Sequence, residues 1–345
     1  MSELRFGLIG CGLWGGHHAK AIDRAPGAVL AAIADRSEEN RAAAKAAHPA
    51  AEIYDDYRRV IERDDLDVID CVLPSHLHYE VGKAALEAGK HVFLEKPMAI
   101  SIDHCDELVA LAAERGKVLA VDHELRLSML WGRVKQLIDD GAVGTPQYVL
   151  LELSRFPYRF GSEGWRFDIQ RVGNWILEEP IHFFDLARWY LSSHGEPTSV
   201  YARANSRQPD HPELQDNFSA VVNFRGGAYA VVTQTLAAFE HHVTCKVTGA
   251  AGAIWANWSA PDARSPLPTF GLRYLVGEEL KEVSFGEVTG EVVELNQQIA
   301  ALVRAIREGS PPPVSGIDGR WSVVLCLSAQ ESVDRRTIVE IPQLS

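Results

Sequence analysis

The segment over residues 6–36 constrains the fold more than any other part of this chain. An apolar run is followed by Gly10, Gly12 and Gly15 in a G-x-G-x-x-G spacing, then by a helical pattern and a second apolar run that ends in Asp35. The first glycine permits a tight turn, the second lets backbone approach a pyrophosphate, and the third lets the helix pack on the strand. This order, with an acid twenty residues after the last glycine, predicts a dinucleotide-binding βαβ unit.

Asp35 carries the prediction of which cofactor binds. Its carboxylate can accept hydrogen bonds from ribose hydroxyls and would repel a 2′-phosphate, which favours NAD over NADP. Arg36 leaves NADP open, because its guanidinium could pair with a phosphate or stack on adenine.

The pattern along the rest of the chain predicts two domains. Up to residue 122 short apolar runs alternate with helices, which is typical of a doubly wound parallel sheet of the Rossmann type, and its ligands lie at the strand ends. From residue 123 to 345 strands dominate, and glycine turns join them as hairpins of an antiparallel sheet. Gly10, Asp35, Pro74, Glu95 and Asp122 follow the predicted parallel strands. The clearest predicted helices cover residues 38–47, 57–61, 78–88, 101–115, 131–139, 296–307 and 320–335.

Length and charge exclude several classes of function. A chain of 345 residues can form two cores of ordinary size. Its net charge of −13 opposes binding to nucleic acid or to anionic lipid. No apolar run is long enough for a membrane span, and the first residues begin a strand rather than a leader, so we expect a soluble cytoplasmic protein. The five cysteines and the scattered histidines, His18 among them, show no metal-binding spacing, and no metal is predicted.

Lys96 is the first candidate for chemistry. It follows the predicted strand that ends at Leu94, so it should project into the cofactor crevice. A lysine there can stabilise a developing alkoxide and can lower the pKa of a neighbouring acid. A solvated lysine in a turn is the alternative.

A family resemblance becomes visible around this lysine. Residues 73–78 (LPSHLH) and 85–97 (ALEAGKHVFLEKP) closely resemble the glucose-fructose oxidoreductase and inositol dehydrogenase family, Gfo/Idh/MocA. Shorter matches extend the resemblance over nearly the whole chain: residues 10–12 (GCG), 123–126 (HELR, with Arg126), 144–146 (GTP), 305–309 (AIREG) and 316–319 (GIDG).

The resemblance implies a fold, a reaction and a set of cofactor contacts. The fold is a Rossmann domain followed by an open-faced, mostly antiparallel sheet domain. The reaction is hydride transfer between NAD or NADP and a secondary hydroxyl of a sugar or cyclitol. The Lys96–Pro97 peptide is expected to be cis. The predicted cofactor-binding residues are Gly10, Cys11, Gly12, Leu13, Trp14, Gly15, Asp35, Arg36, Leu73, Pro74, Ser75, His78, Glu95 and Lys96.

A second catalytic segment covers residues 173–185 (GNWILEEPIHFFD). It is similar to the family's G-x-L-x-D-x-G-x-H-x-x-D helix, which places Glu178 at the family's aspartate and His182 at its histidine. On one helix these two residues would be i and i+4 and could point the same way. Pro180 prefers a first helical turn, and a helix that starts there would leave Glu178 outside it.

His182 is then the predicted general base. Its unperturbed pKa near ~6.5 lets it accept the hydroxyl proton at neutral pH, with Lys96 on the oxygen and Glu178 orienting the pair. A buried core histidine is the alternative reading of His182. Arg166 and Asp185 are further polar candidates for the pocket, and each alone fits a surface or core position equally well. The predicted substrate-binding residues are Lys96, Arg126, Arg155, Tyr158, Trp165, Asn174, Glu178 and His182.

The predicted function is NAD-dependent dehydrogenation of a sugar, sugar derivative or cyclitol. Three alternatives stay open: a non-catalytic NAD-binding sensor, a glycoside-cleaving enzyme that retains its NAD and oxidises only transiently, and use of NADP. We also expect a homodimer or homotetramer through the C-terminal sheet, because an exposed sheet face commonly packs against a second copy.

Overall fold

The computed structural model describes residues 3–343 and divides the chain into two compact units. The first unit runs to Glu124 and also contains Glu294–Arg320, whereas the second contains Leu125–Val293 and the residues from Trp321 onward. The boundary predicted after residue 122 lies close to the first break. The later return of the chain to the first unit differs from the predicted division, which assigns everything after residue 122 to one domain.

The first unit is a parallel sheet with helices between its strands. The strands are β1 Leu4–Ile9, β2 Ala28–Ala34, β3 Glu52–Tyr54, β4 Val68–Cys71, β5 His91–Leu94 and β6 Leu119–Val121. The helices are α1 Leu13–Arg24, α2 Glu38–Ala47, α3 Tyr57–Ile61, α4 His78–Glu87 and α5 Ile102–Arg115. The strand order is β3-β2-β1-β4-β5-β6 and every neighbouring pair is parallel, which confirms the predicted Rossmann architecture.

The second unit is built on a nine-stranded sheet. Its helices are α6 Trp131–Asp139, α7 Ile169–Val172 and α8 Pro180–Tyr190. Its strands are β7 Pro146–Arg155, β8 Ser199–Asn205, β9 Asn217–Asn223, β10 Tyr229–Thr235, β11 His241–Gly249, β12 Gly252–Ala260, β13 Thr269–Val276, β14 Glu279–Glu282 and β15 Val339–Glu340. The order is β14-β13-β12-β11-β7-β10-β9-β8-β15, and only the β7–β10 pair among these strands is parallel. The predicted, mostly antiparallel sheet is confirmed. Helix α8 lies against β7 and β10.

Two long helices, α9 Glu291–Glu308 and α10 Gly316–Arg335, each belong partly to both units. Along α9 the apolar residues Leu295, Ile299 and Leu302 fall on one helical face and are buried in the core of the first unit with Phe6. This apolar stripe explains why the chain returns to the parallel sheet. None of the helices among residues 3–343 is long and apolar enough to cross a membrane.

Local sequence explains where the helices of the first unit begin and end. Ser37 caps α2 by accepting a hydrogen bond from the Asn40 backbone N–H. Gly116 closes α5 in the left-handed conformation that glycine adopts without steric cost. Helix α1 begins at Leu13, before the last glycine of the G-x-G-x-x-G turn, so the glycine turn itself ends in the helix.

Candidate active site

The glycine turn after β1 fits a bound pyrophosphate. A Cβ atom on Gly10 would lie 2.1 Å from the Val72 carbonyl oxygen, and one on Gly15 would lie 2.0 Å from the Gly10 carbonyl oxygen. At Gly12 the nearest atom to such a Cβ would be Asn40 Nδ2 at 3.9 Å, an ordinary van der Waals contact, so this position is not crowded by the protein. Gly12 is also the N-cap of α1, and no side chain caps that helix. The first N–H groups of α1 can therefore hold phosphate oxygens.

Asp35 is tied to this turn by its own hydrogen bonds. Its Oδ2 accepts from the Cys11 backbone N–H at 2.7 Å and from Asn40 Nδ2 at 3.1 Å, and its Oδ1 accepts from the Ser37 N–H at 2.8 Å. A carboxylate has about four lone-pair positions, so Asp35 can accept a further hydrogen bond from a ribose hydroxyl. Burial and then the Asp35 charge raise the pKa of the Cys11 thiol to about 11, so it is neutral at physiological pH.

The turn that carries Lys96 is fixed from two sides. The Lys96–Pro97 peptide is cis, as the resemblance implies. The buried ring of His78 places Nδ1 2.7 Å from the Pro97 carbonyl oxygen and Nε2 2.7 Å from the Leu73 carbonyl oxygen. Burial lowers the pKa of His78, so the neutral ring donates to one of these two carbonyls. The Lys96 backbone N–H donates to Glu95 Oε2 at 3.1 Å.

A buried acidic cluster surrounds one imidazole at these strand ends. His18 Nδ1 lies 2.9 Å from Asp70 Oδ2, and His18 Nε2 lies 3.1 Å from Glu95 Oε1 and 3.4 Å from Asp122 Oδ2. Glu95 Oε1 also accepts a hydrogen bond from the Trp14 indole. The sequence pattern predicts Glu95 and Asp122 at strand ends but indicates no role for His18. An aspartate inside the apolar strand β4 was the signal that could have revealed the cluster.

His18, Glu95 and Asp122 are close enough to bridge a small cation, with one atom of each within 4.8 Å of the others. Both ring nitrogens of His18 face carboxylates, however, so both carry protons, and a protonated nitrogen does not coordinate a metal. Burial lowers the pKa of His18, but the Asp70 charge and the hydrogen bonds to Asp122, Asp70 and Glu95 outweigh it and raise that pKa well above 6.5. We interpret the group as a hydrogen-bonded cluster.

In the second unit, α8 begins at Pro180, which leaves Glu178 outside the helix and His182 in its first turn. Glu178 and His182 therefore do not share a helical face, as the alternative based on Pro180 predicts. Both side chains are buried, and the His182 backbone N–H donates to the Glu179 carbonyl oxygen at 3.1 Å.

Two buried glutamates of this segment are each paired with an arginine. Arg166 Nε donates to Glu178 Oε2 at 3.0 Å, and Arg155 Nη1 donates to Glu179 Oε2. Glu179 Oε1 also lies 3.2 Å from His241 Nε2. The sequence pattern predicts no role for Glu179 or for the neighbouring histidines of β11. Adjacent glutamates before a helix start were the available signal.

Other predicted substrate-binding residues have partners within the second unit. Arg126 forms a two-pronged ion pair with Asp185, with Nε–Oδ2 and Nη2–Oδ1 distances of 2.7 and 2.6 Å. Asn174 Oδ1 accepts the Leu177 backbone N–H at 2.9 Å. Tyr158 donates to Gln234 Oε1 at 3.3 Å. Tyr158 and Trp165 belong to a buried apolar cluster whose other members are Val172, Trp175, Leu214 and Leu236.

Comparison with known proteins decides the family. Residues 4–123 match the model described as "Oxidoreductase family, NAD-binding Rossmann fold", and residues 131–255 match the "GFO/IDH/MocA C-terminal domain". The two matches together cover more than half of the chain. The chain belongs to the GFO/IDH/MocA family. It is an oxidoreductase with an NAD-binding Rossmann domain, as the residues around Lys96 predict.

Relatives of this GFO/IDH/MocA protein align over almost their full length. An uncharacterized oxidoreductase, YrbE, of Bacillus subtilis is 29% identical, over 95% of this chain and 93% of its own. A myo-inositol 2-dehydrogenase of Thermotoga maritima is 25% identical, over 99% of each chain. The solved structure of a levoglucosan dehydrogenase in complex with NADH and L-sorbose shares the fold, with a TM-score of 0.83, 24% identity and full coverage of both chains.

Proposed function

We propose that this protein is an NAD-dependent dehydrogenase that transfers hydride between the nicotinamide and a secondary hydroxyl of a neutral sugar, sugar derivative or cyclitol. The observation that carries the proposal is the presence of both proton-handling groups of the family pattern. Lys96 lies in the turn after β5, and His182 lies in the first turn of α8. Relatives named for myo-inositol and levoglucosan support the substrate class.

In this proposal each catalytic residue has one task. The bound nicotinamide supplies the acceptor for the hydride. His182 accepts the proton of the reacting hydroxyl, and the Lys96 ammonium stabilises the negative charge that develops on that oxygen. Glu178 Oε2 accepts a hydrogen bond from Arg166 Nε at 3.0 Å, so its carboxylate neutralises that guanidinium instead of orienting His182 from the same helical face.

The paired arginines favour an uncharged substrate. Arg155 and Arg166 are each neutralised by a buried glutamate, Glu179 and Glu178. A substrate carboxylate would have to displace one of these glutamates, which would leave that glutamate buried without its partner. Hydroxyl groups can instead share the remaining donor and acceptor positions without breaking an ion pair. Neutral polyols therefore fit this segment better than sugar acids.

NAD is the proposed cofactor, with NADP as the weaker candidate. The Asp35 carboxylate lies at the end of β2 and is held there by the Cys11 and Ser37 N–H groups. Its fixed negative charge opposes a 2′-phosphate and accepts ribose hydroxyls. Calorimetric titration with both cofactors tests this. We expect NAD to bind at least tenfold more tightly, and tighter binding of NADP would contradict the assignment.

The substrate class is tested by incubating the full-length protein with NAD and a panel of inositols, neutral sugars, sugar acids and glycosides. We expect NADH to accumulate with one or more neutral polyols. Release of the aglycone from a glycoside without NADH would support the glycoside-cleaving alternative. NAD binding without turnover of any compound would support the sensor.

We further propose that the outer face of the nine-stranded sheet binds a second copy of this chain. One cross-strand row on that face runs through Tyr201, Val221, Val231, Leu150 and Lys246, which are paired in register from β8 to β11. All five side chains are at least partly exposed. A partly exposed row that is apolar except for Lys246 suits an isologous dimer or a tetramer built from such dimers.

Sedimentation equilibrium of the wild type and of Val231→Lys tests this oligomer. We expect a dimer or tetramer in the wild type and dissociation in the variant. A monomeric wild type would contradict the proposal. Arg203→Lys on β8 is the control, because it changes a side chain of the sheet but keeps its charge, and it should not alter the oligomer.

A further inference from the structure

The buried cluster around His18 contains more acidic groups than one imidazole can neutralise, and the dehydrogenase chemistry does not explain this excess. Three carboxyl groups, Asp70, Glu95 and Asp122, lie close to one imidazole at the ends of adjacent parallel strands. Asp122 is 0% exposed, and among the described residues its oxygens make no hydrogen bond of standard geometry, although His18 Nε2 lies 3.4 Å from Oδ2. Three ionised carboxylates around one imidazolium would leave net negative charge buried, at high energetic cost.

A proton on Asp122 removes this cost. As a neutral acid, Asp122 has an O–H that can turn towards Glu95, one of whose oxygens lies within 4.8 Å of an Asp122 oxygen. His18 Nε2 is closer to Glu95 than to Asp122, at 3.1 against 3.4 Å, so the imidazole proton goes to Glu95. Two adjacent carboxyl groups that share one proton are the expected outcome when like charges cannot both be ionised.

Glu95 is the member that links the cluster to the proposed chemistry. Its Oε2 accepts the Lys96 backbone N–H, and its Oε1 accepts the Trp14 indole and the His18 imidazole. Trp14 and His18 are both on α1, the helix whose N-terminus follows the glycine turn. One ionised carboxylate therefore ties the backbone of Lys96 to the dinucleotide-binding helix.

We propose that His18, Asp70, Glu95 and Asp122 form one proton-sharing network in which Asp122 is the neutral acid, and that Glu95, held ionised by this network, is the positioning residue for Lys96. Burial and then the Glu95 charge raise the pKa of Asp122 well above its usual range, in agreement with the geometry. The titratable and charged groups that face the network are His18 on α1, Asp70 and Cys71 on β4, His78 at the start of α4, Glu95 and Lys96 after β5, and Asp122 after β6.

The network itself can be tested without any turnover. Infrared difference spectra of full-length wild type minus Asp122→Asn at neutral pH should contain the C=O band of a protonated carboxylic acid, because the amide replaces the neutral acid with little change of shape. The exposed Asp64→Asn serves as the matched control and should give no such band. Absence of the band in the wild type, or one equivalent of tightly held metal in the purified protein that is lost in Asp122→Asn, would overturn the proposal.

The positioning role rests on the proposed dehydrogenase function and needs a kinetic readout. We expect Glu95→Gln to lower kcat at least tenfold and to shift the pH profile of kcat. The Kd for NAD, measured by calorimetry, should change far less, because the Glu95 carboxylate is engaged by Trp14, His18 and the Lys96 N–H and we propose that it does not contact the cofactor directly. Equal losses in kcat and in NAD affinity would assign Glu95 a structural role only. If the wild type oxidises no polyol, the infrared result still decides the network, so the failure of the two proposals can be told apart.

Discussion

The two units compensate their buried acids in different ways. In the first unit, Asp70, Glu95 and Asp122 surround the single imidazole of His18. In the second unit, Glu178, Glu179 and Asp185 are each paired with an arginine of their own: Arg166, Arg155 and Arg126.

This difference decides what each acid contributes. A guanidinium stays charged at every accessible pH, so a buried arginine needs an anion beside it. A carboxyl group that holds a proton needs only a hydrogen-bond acceptor. An Asp→Asn change at a carboxylate paired with arginine should therefore be damaging in the second unit, whereas the same change at the neutral acid Asp122 of the first unit should be tolerated.

The largest stability difference is expected between Asp185→Asn and Asp122→Asn. Asp185→Asn leaves Arg126 buried without its anion and should lower the free energy of unfolding by about 3–5 kcal/mol. Asp122→Asn replaces a neutral acid by an amide and should cost less than about 1 kcal/mol. Urea unfolding of both variants measures this. Asp139→Asn is the control. It removes the exposed acid that pairs with Lys135 and should change the free energy of unfolding by no more than about 0.5 kcal/mol.

The pH dependence of stability sharpens the same comparison. His18 and Asp122 have raised pKa values in the folded chain, so they keep protons that the unfolded chain releases. Their contribution is therefore present at low pH and is lost as pH rises towards the folded pKa values. From neutral pH upward, Asp122→Asn should lose stability less steeply than the wild type, by up to about 1.4 kcal/mol per pH unit.

At acidic pH the free energy of unfolding should change with pH in the opposite direction. Burial opposes ionisation of Glu95, but the hydrogen bond and charge of His18, with Asp122 and Lys96, lower its pKa to about 2. The stability it contributes is present above the ordinary value of 4.5 and is lost as pH falls towards about 2. Urea unfolding over a pH series records both limbs. Parallel curves for the wild type and Asp122→Asn would contradict the proton-sharing network.

Glu179→Gln tests the arginine pairing through substrate choice. The amide no longer neutralises Arg155, so an anionic substrate gains a partner there. We expect the ratio of kcat/KM for a sugar acid over a neutral polyol to rise about tenfold, which corresponds to about 1.4 kcal/mol. Glu163→Gln, an exposed partner of Arg171, is the control. An unchanged ratio would remove Arg155 from substrate selection.

The smallest expected change in stability comes from the uncharged N-cap of α2, Ser37. Ser37→Ala removes the hydrogen bond to the Asn40 N–H and should cost about 1 kcal/mol in the free energy of unfolding. Ser101→Ala is the matched control, because the Ser101 side chain makes no capping hydrogen bond at the start of α5. Equal losses in thermal unfolding would show that the Ser37 cap adds nothing beyond ordinary propensity.

Much of the first unit could be predicted from the sequence because its signals are local. The glycine turn, the cap at Ser37 and the strand ends at Asp35 and Glu95 each depend on residues a few positions apart. In the second unit, the start of α8 followed from Pro180 alone. The hydrogen bond from the Trp14 indole to Glu95 joins residues 81 positions apart, and the ion pair of Arg155 with Glu179 joins residues 24 positions apart. Such contacts depend on tertiary packing and leave no periodic pattern to read.

The strands β13 and β14 show a second limit. The sequence pattern predicts strands as far as β12 and again at residues 338–341, where β15 lies, but it does not predict β13 and β14, which form one end of the sheet and have half of their residues exposed. Edge strands lack the clear apolar alternation of buried ones. The apolar stripe of α9 was readable as a helix, but which unit it covers depends on the folded sheet.

The central claim is that Lys96 and His182 act together on one hydroxyl. A double-mutant cycle with Lys96→Ala, His182→Ala and the combined variant, measured as NADH formation at saturating NAD, tests it most directly. Each single change should lower kcat by about 10²–10⁴-fold while NAD still binds, and the double variant should lose little more than the worse single one. A double variant whose loss in kcat equals the product of the two single losses would contradict the account. So would a Lys96→Ala enzyme with wild-type turnover.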